Sequence, residues 1–287
     1  MMAALRPVIM TGDDFGLNDA VNQAIAETHR RGLLGSASLM VTGRAVDQAV
    51  TMAKGMPALN VGLHLAVTRA QALLPPRDLP TITDKQGRLG RHLARTGVLY
   101  FFSPAARREL RAEIRAQFES FAATGLALDH VDGHNHMHLH PTVLSLLLDV
   151  GADFGLKAVR LPYEPFGPAW RMFGGSPWRL GASWLFLKPW TAAMKGRLRS
   201  RSLYCNDYLF GMSHTGQITV DALAGILDNL PKQGLTEVHL HPGLVGGTQD
   251  EEHIALTDAG IRELFHDLGL YLTSFAAEFQ EASGRAS

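Results

Sequence analysis

The sequence predicts an α/β fold, an irregular (β/α) barrel of about seven or eight parallel strands. Three observations predict it. Short apolar runs alternate with helical stretches along the chain. Polar, chemistry-bearing residues fall at the ends of successive apolar runs, and a parallel barrel collects its active site at the carboxyl ends of its strands. A length of 287 residues suits one barrel, so 1–287 is expected to be a single domain.

Residues 7–11 read as a first buried strand that stops at Gly12-Asp13-Asp14-Phe15-Gly16. A turn plus a helix cap would need one Asp. Two adjacent carboxylates repel, so a positive partner or a shared proton is expected beside them. Asn18 starts the following helix, which runs to Gly32. Residues 33–42 read as a second strand, 47–54 as a helix, and 60–65 as a third strand ending on His64. Alone, a strand-end histidine is more often structural than a ligand; here it shares its position with the paired carboxylates.

Residues 69–107 break this rhythm. Pro75-Pro76, Pro80, Asp84-Lys85-Gln86-Gly87 and Gly97 suggest a long ordered loop or lid. A helix opens at Pro104, and Leu110, Ile114, Phe118 and Phe121 form its apolar stripe, with Arg and Glu opposite. Residues 126–132 are the next strand. It delivers the stretch 129–141, which holds five of the thirteen histidines. A tag would be a pure run at a terminus, whereas this set is interrupted and flanked by a strand and Pro141. Such density points to metal binding or proton chemistry. A helix follows over 143–154.

Residues 157–164 form another strand-end segment carrying Arg160 and Glu164. They are either a surface ion pair or, for Arg160, the positive partner that keeps one carboxylate ionised. Residues 202–211 are a strand and loop, 220–230 a helix, and 236–243 a strand on which His239 and His241 point the same way. A helix over 257–268 and a short strand over 270–274 close the chain.

Residues 165–201 differ from the rest. All four tryptophans lie here (Trp170, Trp178, Trp184 and Trp190), with Lys188, Lys195 and five arginines. Tryptophan with Lys and Arg marks a segment in a lipid headgroup layer or a greasy substrate channel. A helical insertion packed on the barrel is the plainer alternative. The expected contact is peripheral, at the inner face of a membrane.

The formal net charge is zero, which gives no basic footprint for nucleic acid. The single cysteine, Cys205, excludes an internal disulfide and a Cys-rich metal site, and is expected to be a buried inert thiol. No long uncharged apolar run reads as a signal peptide or a membrane span. A cytoplasmic protein is expected. The sequence leaves a homo-oligomer open.

The strand ends together supply Asp13, Asp14, His64, the cluster from Asp132 to His140, Arg160 and His241. One carboxylate with two imidazoles makes an open site for a divalent ion. The other carboxylate can then serve as base, and His241 as acid.

These residues resemble the YdjC-like carbohydrate deacetylases. The resemblance rests on Asp13-Asp14-Phe15-Gly16, Gly62-Leu63-His64, Asp132-Gly133-His134, Arg160-Leu161-Pro162-Tyr163-Glu164 and His241-Pro242-Gly243, in order along nearly the whole chain. It implies a barrel related to that of the polysaccharide deacetylases. It also implies one divalent ion, zinc or magnesium, held by Asp14, His64 and His134. By the same resemblance Asp13 is the general base, His241 the acid, and Arg160 orients Asp13. His136, His138, Glu164, Trp170 and Trp184 are read as substrate contacts, and His130 and His140 as structural. The histidine-rich wording and the Trp-rich insertion look most like the hopanoid-biosynthesis-associated branch. Its implied substrate is an N-acetylglucosaminyl glycolipid that loses its acetyl group.

Three other readings compete. A deacetylase of a soluble N-acetylated oligosaccharide such as chitobiose would use the same site. A metal-dependent sugar isomerase usually gathers more carboxylates. A non-catalytic lipid- or sugar-binding barrel would need neither Asp13 nor His241.

Overall fold

The computed structural model describes residues 5–165, 177–245 and 248–284. Its centre is a seven-stranded parallel sheet of order β4-β3-β2-β1-β6-β5, with β9 also paired to β1. The strands are β1 (Arg6–Phe15), β2 (Ser36–Leu39), β3 (Asn60–Leu65), β4 (Val131–Gly133), β5 (Tyr208–Phe210), β6 (Thr236–Leu240) and β9 (Leu270–Leu272). Single parallel bridges, Val131 to Val159 and Ala158 to Tyr204, carry the curl on from β4. The result is a curled, barrel-like sheet, as the alternation predicts. Its irregularity is visible at β1, one edge of which is shared. β9 pairs with Arg6–Val8 and β2 with Thr11–Phe15.

Helices cover the outside, and their ends follow from local chemistry. Asn18 caps α1 (Asp19–Arg31), its side chain accepting from the Val21 N–H at 3.0 Å. α2 spans Val46–Lys54. Pro104 opens α4 (Pro104–Ala123) behind a Ser103 cap, and Pro141 opens α5 (Pro141–Gly151). The expected stripe of Leu110, Ile114, Phe118 and Phe121 is buried in the core.

The sequence placed Glu opposite that stripe, but Glu113 and Gln117 are fully buried. They hold the chain that follows β3. Glu113 accepts from the N–H groups of Leu73 and Leu74 at 3.0 and 3.1 Å, and Gln117 bonds both backbone groups of Ala66. A buried carboxylate needs such donors. The stretch 69–107 ends in an unforeseen helix, α3 (Leu93–Phe102).

Several expected strands are shorter than their apolar runs. Residues 126–132 give only the three-residue β4, and 157–164 give only bridges, because sheet pairing there is limited to one or two residues. A long helix, α6 (Pro177–Ser200), occupies most of the Trp-rich stretch. Trp170 lies outside the described residues, as does the side chain of Trp184. α7 (Val220–Asp228) precedes β6, and a small hairpin follows it, β7 (Leu244–Val245) with β8 (Thr248–Gln249). The helix expected over 257–268 is present as α9 (Ala259–Asp267), and an unforeseen helix, α8 (Glu251–Thr257), precedes it, each with its own Asp cap. The described part of the chain ends in α10 (Phe275–Gly284).

Candidate active site

The site is built at an irregularity in β1. In a regular strand Asp13 and Asp14 would face opposite sides. Here the register against β2 shifts between Gly12 and Phe15, and Asp14 takes a left-handed φ of 63°. Both carboxylates thereby reach histidines at the carboxyl end of the sheet.

Asp14 Oδ1 lies 3.1 Å from His134 Nδ1 and 3.3 Å from His64 Nε2. The ligand atoms of these three residues fall within 4.8 Å of one another. His64 comes from the end of β3. His134 follows β4, in a turn where Asn135 and His136 adopt φ values of 55° and 53°. His64 is buried, and its Nε2 makes no hydrogen bond among the described residues. Its Nδ1 is held by Asp132 Oδ1 at 2.8 Å. A carboxylate behind an imidazole whose other nitrogen faces a second carboxylate is the pattern of a metal-binding histidine. Two imidazoles and one carboxylate therefore fit a divalent ion here, zinc better than magnesium by donor type.

Asp13 has a different environment. Arg160 grips it with two bonds of 2.7 and 2.8 Å. His239 Nδ1 is 3.4 Å and His241 Nε2 3.9 Å from its Oδ2. Burial opposes the charge on Asp13, yet Arg160 and His239 hold its carboxyl well below the usual range. Arg160 is fully buried and also meets Asp132 at 2.5 Å and Glu237 at 2.7 Å. Three carboxylates thus share one guanidinium, and the planar fork of arginine suits that role.

The other expected residues are placed as follows. His136 is half-buried with its ring edge against His239, the centroids 5.2 Å apart. His138 is buried, and its Nε2 donates to the Arg160 carbonyl at 3.1 Å; burial pushes its pKa down to about 4. Glu164 accepts from the N–H groups of Gly211 and Ser213 at 3.0 and 3.1 Å, so its carboxylate anchors that loop. His130 bridges Asp129 and Ser38 at 2.8 and 3.1 Å, and His140 packs against Phe101 just before α5. Cys205 is half-buried, and burial raises its thiol pKa.

Sequence reasoning missed Glu237, Ser38 and Glu252. Glu237 had a signal: a carboxylate within a strand, on the same face as His239. Ser38 donates to Asp132 at 2.9 Å. Glu252, from α8, accepts the His241 N–H and so seats that residue. No local pattern marked either of these two.

The model of YdjC-like proteins matches residues 7–267. A carbohydrate deacetylase of Brevibacillus brevis is 30% identical over 94% of this chain and 98% of its own. A chitooligosaccharide deacetylase of Escherichia fergusonii is 27% identical over the same shares. Among solved structures, a candidate cellobiose-phosphate cleavage protein of Enterococcus faecalis superimposes with a TM-score of 0.71. It is 21% identical and covers 95% of this chain and 98% of its own, a likeness in fold. The chain belongs to the YdjC-like protein family.

Proposed function

We propose that this chain is a metal-dependent carbohydrate deacetylase acting on an N-acetylglucosaminyl glycolipid of the hopanoid class, the HpnK branch of its family. The observation that carries the chemistry is the placement of Asp13. It is clamped by Arg160, faces His241 at 3.9 Å, and adjoins the Asp14, His64 and His134 cluster. The names of the Brevibacillus and Escherichia relatives support the same reaction class.

A divalent ion on Asp14, His64 and His134 would supply Lewis-acid polarisation of the acetamide and a more acidic water. The protein's own groups do the proton work. Asp13, kept anionic by Arg160, takes a proton from the water that adds to the carbonyl carbon. His241, protonated, gives a proton to the amine nitrogen as the C–N bond breaks. Acetate and a free amino sugar leave.

The lipid part of the reading rests on residues 165–201. α6 buries Thr191, Met194 and Leu198, while Leu185 and Trp190 are 68% and 41% exposed. Exposed apolar side chains beside Lys188 and Lys195 suit an amphiphile at a membrane face. Among the described residues no helix is long and apolar enough to cross a membrane.

The test is product analysis on N-acetylglucosaminyl compounds with and without a hopanoid tail. Acetate and free amine, formed fastest from the tailed compound, are expected. Equal rates on chitobiose would leave a soluble-oligosaccharide deacetylase. Rearranged sugar or binding without product would overturn the hydrolase itself.

A further inference from the structure

We propose that Asp13, His239 and His241 form a second cation site, for a transition ion of zinc type, beside the one built on Asp14. The ligand atoms of these three residues also lie within 4.8 Å of one another. A four-coordinate zinc with bonds near 2 Å separates its donors by about 3.4 Å. Asp13 Oδ2 lies 3.4 Å from His239 Nδ1 and 3.9 Å from His241 Nε2. The donor set is again two imidazoles and one carboxylate, which leaves a fourth position open.

His239 is the independent observation. It is 1% exposed. Its Nδ1 stands only loosely on Asp13, at 3.4 Å, and its Nε2 has no hydrogen-bond partner among the described residues; a ligated ion removes the cost of burying so poorly paired an imidazole. The proton work assigned to Asp13 and His241 gives His239 no task. β6 alternation nevertheless aims it at Asp13 from the same face as Glu237.

The charge balance admits a second ion. Asp13, Asp14, Asp132 and Glu237 gather around a single guanidinium, Arg160, which touches three of them. With neutral histidines that is a surplus of three negative charges. One divalent ion at the Asp14 site leaves one still uncompensated, in a buried setting where like charges repel strongly. A second ion would take both the base and the acid out of the reaction. The site therefore acts as a brake at high zinc.

The inference rests on the proposed reading of Asp14, His64 and His134, and the experiment separates the two. The full-length protein is equilibrated with excess zinc, freed of loose metal by gel filtration, and its zinc per chain measured by elemental analysis. Two ions are expected in the wild type, one in His239→Gln, one in His64→Ala and none in the double variant. A single ion lost in His64→Ala and kept in His239→Gln overturns the second site and leaves the first. A single ion lost only in His239→Gln overturns the first and supports the second. The wild-type ratio needs no variant, so a misfolded substitution does not shelter the proposal: a saturated value of one that survives His239→Gln defeats it.

Discussion

Asp132 Oδ1 stands 2.8 Å from His64 Nδ1, and the other nitrogen of that ring points at Asp14 from 3.3 Å. The carboxylate fixes which nitrogen is protonated and how the ring is turned. Asp132→Asn keeps the shape but allows the amide to present its N–H to His64. Removing such a partner behind a metal-binding histidine weakens metal affinity by about 10–100-fold. Competition against a chromophoric chelator measures this. Unchanged affinity would mean that His64 does not serve as a ligand.

Asp13 and Asp14 are neighbours with separable tasks. Asp13→Asn removes a proton acceptor but leaves Asp14, His64 and His134 in place. Acetate release should fall by roughly 10²–10⁴-fold, the usual worth of a general base. With one equivalent of zinc supplied, the Asp14 site should still fill. Turnover near the wild-type rate would remove Asp13 from the mechanism.

The two carboxylates also mark how far the sequence could be read. Alternation of strands and helices gave the barrel, and chemical residues at strand ends gave the corners of the site. These signals are local, set by side-chain period and by caps such as Asn18. The bulge that turns Asp13 and Asp14 to a common region is not local, because it exists only through the register between β1 and β2. Glu237 and Ser38 were overlooked for the same reason: their partners, Arg160 and Asp132, are 77 and 94 residues away in the chain. β4 was overestimated because apolar sequence favours burial, while pairing depends on the neighbouring strands.

Arg160 is fully buried against Asp13, Asp132 and Glu237. Arg160→Met should destabilise the fold by about 3–5 kcal/mol, since carboxylates remain buried without their partner. Arg160→Lys should recover part of that stability but little activity, because one ammonium cannot reproduce the two-pronged grip on Asp13. Urea unfolding and acetate release, measured on both variants, test the two statements separately. Equal activity in Arg160→Lys and wild type would show that the fork is unimportant.

The His130–Asp129 pair, which reaches Asp132 through Ser38, predicts a pH dependence of stability. Both are buried, 2.8 Å apart. Burial disfavours the charge on His130, but Asp129 raises its pKa above 6.5; burial likewise opposes the charge on Asp129, and His130 lowers it below 3.8. A raised imidazole stabilises below its unfolded pKa, and this is lost as pH rises through the folded value. A lowered carboxyl stabilises above its unfolded pKa, and this is lost as pH falls through the folded value. The pair therefore contributes most between pH 3.8 and 6.5. Denaturation of wild type and His130→Gln should differ most near the middle of that window and less on the alkaline side. A difference that grows with alkalinity would reverse the assignment.

Gly43 tests whether the turn that follows Asp14 is held by a backbone contact. A Cβ at Gly43 would lie 2.1 Å from the Gly16 carbonyl oxygen, and backbone cannot swing aside as a side chain can. That same oxygen accepts the Ala45 N–H at 3.0 Å, and the Gly16 N–H is fixed by Asn22 at 2.7 Å. Gly43→Ala must push the segment after Asp14 away from β2. It should cost about 1–3 kcal/mol, as overpacking does, and should also weaken metal binding through Asp14. Gly196→Ala is the counterpart. It lies exposed within α6, with nothing within 4 Å of the added atom. Replacing a helical glycine there should stabilise by about 0.5–1 kcal/mol. Thermal melts should therefore move in opposite directions for the two substitutions, with only Gly43→Ala changing zinc affinity. If Gly43→Ala lowered the melting temperature yet left zinc affinity intact, the contact would support the fold without positioning Asp14.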